Sequence, residues 1–260
     1  MPIATLDRTL LRLSGETVRS WLAGLITNNL DTPLSFAALL TPQGKIIADF
    51  FIHQDLDIWG DDLILETAPK FAPALLKRLK MYKLREKIDI IEVSAHSVYV
   101  LWDGEGDLGA VDPRYARLGR RFISDHIIET TSSSDDYDQH RLSLSIPDSQ
   151  YDFGSQERFP ADVNMDLLSG VDFKKGCFIG QEVVSRMYRK TEVRKRMRSV
   201  RGTAPLTQSS ITIDGRTVGD ILYANENLGM ALIRLDRIEG TKKPPQLESG
   251  LEIEILDPDF

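Results

Sequence analysis

The sequence predicts an α+β fold in two parts: antiparallel sheets with helices on one face, then a small all-β domain. Three observations carry that expectation. Short apolar runs separated by turn residues alternate with two helix-patterned segments, without the regular strand–helix–strand repeat of a parallel sheet. A chain of 260 residues exceeds one small core, so one large domain plus a smaller one is expected. After Arg201 the texture is β alone, which puts a boundary near residue 197 and divides the chain into 1–197 and 198–260.

The first helix should open at Ser14 as N-cap, with Glu16 and Thr17 in its first turn. Val18, Trp21, Leu22 and Leu25 then share one apolar face, and the helix should stop near Thr27-Asn28-Asn29. Asn28 reads either as a C-cap or as the polar edge of a binding pocket. Phe36–Leu40 and Ile46–Ile52, separated by Thr41-Pro42-Gln43-Gly44-Lys45, predict a β-hairpin. Alternation puts Asp49 on the face of Ile47 and Phe51, so it faces either solvent or a pocket. β-like pieces continue from Asp55 to Leu65 around the turn Gly60-Asp61-Asp62. Thr67 and Pro69 open a second helix that buries Phe71, Leu75, Leu76 and Leu79.

Ile88–Val93, Val98–Trp102 and Arg120–Ile123 read as strands, with turns at Gly104–Asp107 and Asp112–Arg114. Thr130–Asp136 reads as an exposed loop, and Leu142, Leu144 and Ile146 as a half-buried strand. In the tail, Ile211–Ile213, the turn Asp214-Gly215 and Val218–Leu222 form a hairpin; Met230–Leu235 and Leu251–Leu256 alternate. A small antiparallel barrel or sandwich follows.

Hydrophobic residues make up 42% and charged residues 27%, which excludes disordered and fibrous classes. No apolar run reaches the roughly 18 to 20 residues of a membrane span, and the N-terminus lacks a secretory pattern. One cysteine excludes an internal disulfide framework and fits a reducing compartment; the expectation is cytoplasmic. The net charge of −7 is uneven. Arg186–Arg201 alone carries +7, leaving −14 in the rest of the chain. That run reads as a solvated helix end and linker, or as a surface for a polyglutamate tail, a phosphate or RNA.

His53, His96, His126 and His140 are scattered, so no metal site is expected. Neither a phosphate-loop nor a dinucleotide glycine pattern is present, and no Gly-x-Ser-x-Gly elbow. The densest chemistry lies in Lys174-Lys175-Gly176-Cys177-Phe178-Ile179-Gly180-Gln181-Glu182. A lone cysteine is either a small core residue or, beside cations and a helix start, a reactive thiolate. The flanking glycines favour a backbone shaped for a special turn or a close approach.

Lys175-Gly176-Cys177-Phe178-Ile179-Gly180-Gln181-Glu182-Val183-Val184-Ser185-Arg186 closely resembles the signature of the YgfZ-type folate-binding proteins, within the superfamily of the glycine-cleavage T-protein, an aminomethyltransferase. Gly24–Asn29, Leu39–Lys45, Met81–Arg85 and Asn164–Asp166 look like further landmarks, so the resemblance covers nearly the whole chain. It implies a folate-binding domain with a central hole and a C-terminal β-barrel. It also implies a role in iron–sulfur cluster assembly or repair, with tRNA-modifying enzymes among the clients. Cys177 would be the essential thiol, in a loop shaped by Lys175, Gly176, Gly180, Gln181 and Glu182 and followed by Arg186. Asn28 and Asp49 would border the site for tetrahydrofolate or a one-carbon derivative. Partners would be iron–sulfur enzymes or assembly proteins, with weak RNA contact through Arg186–Arg201 and no membrane. The T-protein pattern Gly-Gly-x-x-Asp-Asp reads here Gly44-Lys45-Ile46-Ile47-Ala48-Asp49. The lost glycine and acid argue for an assembly factor over the alternative, a folate-dependent aminomethyl- or methyltransferase.

Overall fold

The structure, a computed structural model, describes residues 1–54, 59–104, 106–190, 192–241 and 243–260. Three antiparallel sheets organise these residues. The first runs, in spatial order, Ile3–Leu6, Ser97–Leu101, Arg120–Ser124 and Ala110–Val111. The second runs Leu34–Leu40, Ile46–His53, Leu63–Thr67, Thr9–Ser14 and Asp89–Val93. Its hairpin strands Leu34–Leu40 and Ile46–His53 are buried along their whole lengths, so both faces are covered and the sequence shows continuous apolar runs. Register pairs Phe36 with Phe51 and Ala38 with Asp49.

The third sheet runs Gln246–Leu247, Ser210–Ile213, Arg216–Asn225, Leu228–Arg234, Lys195–Gly202 and Ile253–Ile255. A bridge between Gln246 and Glu252 nearly closes it, which makes the expected tail a barrel and not a sandwich. Its first hairpin turns at Asp214 and Gly215, φ 51° and 72°, the doubly left-handed turn that matches strand twist. This sheet has its own apolar cluster around Val200, Ile211, Val218, Ala231 and Ile233. Its strand Lys195–Gly202 runs across residue 197, where the two halves of the chain were expected to meet.

The helices depart most from expectation. Ser14 ends a strand, and the first helix, Val18–Ala23, is preceded by Thr17 without a side-chain cap. It stops four residues before Asn28, so Asn28 is not its C-cap. The second helix is Ala72–Lys83; Thr67 belongs to a strand, while Phe71, Leu75 and Leu79 are buried as expected. Residues expected as a loop and then a strand form one helix, Ser134–Ser143. Ser133 and Asp136 close a capping box at its start, a stronger signal than the alternation of leucines beyond it. A short helix, Leu235–Ile238, interrupts the all-β tail. The pieces expected over 55–65 fall partly on residues 55–58, outside the described residues.

Two buried polar ties hold the barrel to the rest. Asp138, on the helix Ser134–Ser143, accepts from Arg141 (2.7 Å), Tyr223 (2.9 Å) and Asn225 (2.7 Å), the last two on a barrel strand. Arg196, on another barrel strand, forks onto both oxygens of Asp166 at 2.8 and 2.7 Å, while the Asn164 amide donates to Met197 O. The Asn164–Asp166 landmark is therefore a seam between the two parts. Asp138→Ala leaves Arg141 on Asp152 and Ile146 O but strands two barrel donors, Tyr223 and Asn225; it should cost about 2 kcal/mol in urea unfolding.

Candidate functional site

Cys177 is exposed, in the loop between the turn at Gly170 and the helix Gln181–Lys190. That loop is fastened at both ends. Upstream, Thr27 donates its hydroxyl to Gly170 O (2.6 Å) and accepts from Ala38 N (2.8 Å), while Asp172 N bonds Thr27 O. Asp172 in turn accepts from Lys174 N (2.8 Å) and from the Asn29 amide (2.6 Å). Lys175 donates its ammonium to Ile26 O (2.8 Å) and Asn28 O (2.6 Å). Burial pushes that ammonium down to about 8, with Asp172 and Asp31 opposing.

Downstream, Gly180 sits against the hairpin turn at Thr41–Lys45. Its φ is +80°, and a Cβ there would lie 2.6 Å from Thr41 O. Gly44, also at φ +80°, faces Val183 in the helix that follows the thiol loop, and a Cβ would come within 3.1 Å of it. Two separate landmarks of the sequence therefore meet, and both contacts need glycine. Gly176 differs, since a Cβ there would meet nothing within 4 Å. Gln181 reaches back to Lys175 O at 3.5 Å, and Glu182 and Arg186 are exposed on the helix.

Asn28 and Asp49 occupy different surroundings. Asn28 spends both amide donors on Phe36 O (2.9 Å) and Ser169 O (2.7 Å), so it braces the thiol loop's neighbourhood. Asp49 is buried on a small cavity whose wall also holds Arg8, Phe36, Phe50, Phe51, Glu66, Thr67, Arg114, Asp148 and Ser149; Asn28 is not on that wall. Ser149 hydrogen-bonds the Asp49 carboxylate, yet one of its oxygens has no partner. Burial pushes Asp49 up to about 6, against the pull of Ser149, Arg8 and Arg114. Arg8 and Asp148, ion-paired at 2.5 Å, also line a neighbouring cavity with Tyr137, Arg141 and Tyr151.

Around the Asp49 cavity lies an ionic network that sequence reading missed. Glu66 accepts from Arg121 and His53 (2.9 Å) and faces Arg8 at 3.4 Å; Asp112 holds Arg114 at 2.9 Å and Arg121 at 3.5 Å. Arg121 and Arg114 also lie over the Phe51 ring, at 4.0 and 4.8 Å from its centroid. Burial opposes ionisation of Glu66, but Arg121, His53 and Arg8 outweigh it and hold the carboxyl at about 2. Asp148 is likewise held well below its ordinary value, burial being overcome by Arg8, Arg141 and Arg114.

The basic run does not form one surface. Arg196 is committed to Asp166, Arg201 pairs with Glu254 at 3.2 Å, and Met197, Ser199 and Val200 are buried in the barrel. Arg186, Arg189, Arg194 and Lys195 stay exposed; Thr191 lies outside the described residues. Among the described residues, no group of three or more His, Cys, Asp or Glu gathers to hold a metal ion, and no helix is long and apolar enough to cross a membrane.

Residues 194–259 match the family described as the CAF17 C-terminal beta-barrel domain. The chain is similar to the human mitochondrial iron–sulfur cluster assembly factor IBA57, at 30% identity over 90% of this chain and 77% of that protein. The mitochondrial IBA57 homolog of Pyricularia oryzae is 27% identical over 97% of this chain and 77% of its own length. Among solved structures, the glycine cleavage system aminomethyltransferase T of Bartonella henselae superposes with a TM-score of 0.70, over 98% of this chain and 84% of that one. At 12% identity that likeness establishes the T-protein-like fold alone. The relatives are named as mitochondrial proteins, which overturns the expected cytoplasmic location. A lone cysteine is compatible with any reducing compartment and does not select one.

Gly180→Ala should destabilise the fold by about 1–3 kcal/mol through backbone strain, whereas Gly176→Ala should be nearly neutral, both read by urea unfolding. Stability should also vary with pH in two opposed limbs. The raised Asp49 penalises the fold when ionised, so stability rises as pH falls through about 6 towards its unfolded value of 3.8. Glu66 stabilises fully above its unfolded value of 4.5, and that contribution is lost as pH falls towards about 2. The unfolding midpoint should therefore peak between these limbs, and Asp49→Asn should flatten the limb above about pH 4.

Proposed function

The chain belongs to the family of the iron–sulfur cluster assembly factor IBA57, and from that premise we propose that it acts in the assembly or repair of iron–sulfur clusters through the thiol of Cys177. The observation that carries this reading is the exposure of the chain's one thiol on a loop bonded to the core upstream and packed at Gly180 against the hairpin turn downstream. A cluster is held by several thiolate ligands. This chain offers one, with no metal-holding group of acids and histidines among the described residues, so the other ligands come from the protein that delivers or receives the cluster. The cluster is thus cargo shared with a partner. Lys175 and the Gly180 contact keep the thiol's position while leaving its sulfur open. Clients in this reading are iron–sulfur enzymes, those that modify tRNA among them.

Folate belongs to the Asp49 cavity. A carboxylate with one uncommitted oxygen, beside Thr67 and Ser149 and flanked by Phe36, Phe50 and Phe51, fits the amino and ring N–H groups and the flat face of a pterin. The free space beside Asp49 is about that of one water, so a pterin enters only as the Phe36, Phe50 and Phe51 rings move aside, and the remainder of a folate would lie outside. Bound there, a reduced folate would supply one-carbon units carried on N5 and N10. The alternative, a tetrahydrofolate-dependent aminomethyl- or methyltransferase, draws on the same cavity. Buried Ala48, standing in place of an acid, weighs against it. The division into a folate-binding part, 1–197, and a barrel, 198–260, goes with this proposal.

In cells lacking their own factor, Cys177→Ala and Cys177→Ser should both fail to restore iron–sulfur enzyme activities. Full rescue by the alanine variant would exclude a thiol role. By calorimetry, Asp49→Asn should weaken tetrahydrofolate binding on the order of tenfold, the loss of a charge-assisted hydrogen bond. If the unaltered chain released no heat with tetrahydrofolate, the folate part would fall.

A further inference from the structure

Beside the thiol loop lies a small apolar groove that the thiol chemistry does not use. Phe159, Phe173, Val184, Met187, Tyr188 and Val193 line it. Phe173 precedes Cys177 by four residues and Val184 follows it by seven, so the two walls are the two flanks of the thiol loop. Phe173 and Tyr188 stack at 3.7 Å between centroids, and Tyr188 is 57% exposed. The one acid on the wall, Asp166, is already neutralised by the fork of Arg196.

The rim has the opposite sign to the chain as a whole. Lys174, Arg186, Arg189 and Arg194 are exposed and adjoin lining residues in sequence, and Lys45 lies over the Phe159 ring at 5.3 Å. Against these stand the exposed Glu182 and Glu192. A groove with a dry apolar floor and a cationic rim selects one chemistry. The floor takes a bulky apolar side chain and the rim takes carboxylates on either side of it. A single-stranded nucleic acid would find the rim for its phosphates and only the Tyr188 ring for a base, and would leave the aliphatic floor of Val184, Met187 and Val193 unused.

We infer that this groove is a docking site for an acidic protein segment carrying one bulky apolar anchor, seated so that its owner lies over Cys177. The positioning over Cys177 rests on the assembly reading above; the groove and its ligand chemistry do not.

The test uses the full chain and a short dye-labelled peptide in which Asp and Glu flank a single Phe, followed by fluorescence anisotropy. Binding should weaken as salt rises, and should fall about tenfold or more when the peptide's Phe becomes Ser. Met187→Glu should cause a similar loss. Tyr188→Ala, at an exposed ring, gives the same readout should the first variant fold poorly, which circular dichroism reports. Arg186→Glu with Arg189→Glu should lower affinity and flatten the salt dependence. Bound peptide should slow alkylation of Cys177. Equal binding of the peptide lacking Phe, or equal binding by folded Met187→Glu and Tyr188→Ala, would overturn the inference. So would an RNA oligonucleotide or a second copy of the chain proving the preferred ligand of this surface. Cys177→Ala should bind the peptide as the unaltered chain does. Loss of rescue with intact peptide binding, and the reverse, therefore separate a failed thiol role from a failed groove.

Discussion

Glu66 is the point on which the first two sheets depend. It sits fully buried on the strand Leu63–Thr67 of the second sheet and takes a hydrogen bond from Arg121 on the first. His53 on the neighbouring strand and Arg8 in the link between the two sheets complete its surroundings. A buried carboxylate of this kind adds little net stability over an apolar replacement, because desolvating four charged or polar groups offsets their attraction. Its effect is on uniqueness: an alternative packing of the sheets leaves at least one charge unpaired in a low dielectric. The cavity that holds Asp49 is a by-product of that arrangement, since Arg8, Glu66 and Arg114 are at once network members and its walls.

The thiol loop solves a different physical problem. A loop that carries a reactive group must be exposed, and exposed loops are mobile. Here the backbone on either side is tied to the buried hairpin, through Thr27 and Lys175 upstream and Gly180 downstream. The sulfur is thereby held on a surface whose supports are inside the core. Lys175 keeps its charge in a half-buried place by bonding two carbonyl oxygens, an arrangement that gives the loop a fixed entry without adding a carboxylate beside the thiol.

What was legible in the sequence follows from what leaves a local trace. The hairpin around Thr41–Lys45, the left-handed turn at Asp214-Gly215 and the cysteine segment are written in contiguous residues, and the structure shows the two turns at those places. The pocket side of Asp49 was legible as one of two options, because period-two alternation aligned it with Phe51. Arg8, Glu66, Arg114, Arg121 and Asp148 were not, since isolated charges read as solvated until a tertiary fold brings them together. The helix Ser134–Ser143 was missed for a related reason. Its buried side includes Asp138 and Arg141, polar residues whose partners lie in the barrel and beyond Ile146, so no apolar stripe marks it. Asn28 read as a ligand or a cap; its amide donates to the carbonyls of Phe36, nearby, and of Ser169, far along the chain, a tie with no local trace.

The meeting of Gly44 and Gly180 has a consequence for how this protein can change over time or be rebuilt by design. The two segments are far apart in sequence, yet each leaves the other no room for a side chain. A substitution in one calls for a compensating shift in the other, so the two segments form a single unit of packing. Transplanting the cysteine segment alone onto a foreign scaffold would carry the thiol without the anvil it is set against. A working graft has to bring the hairpin with it.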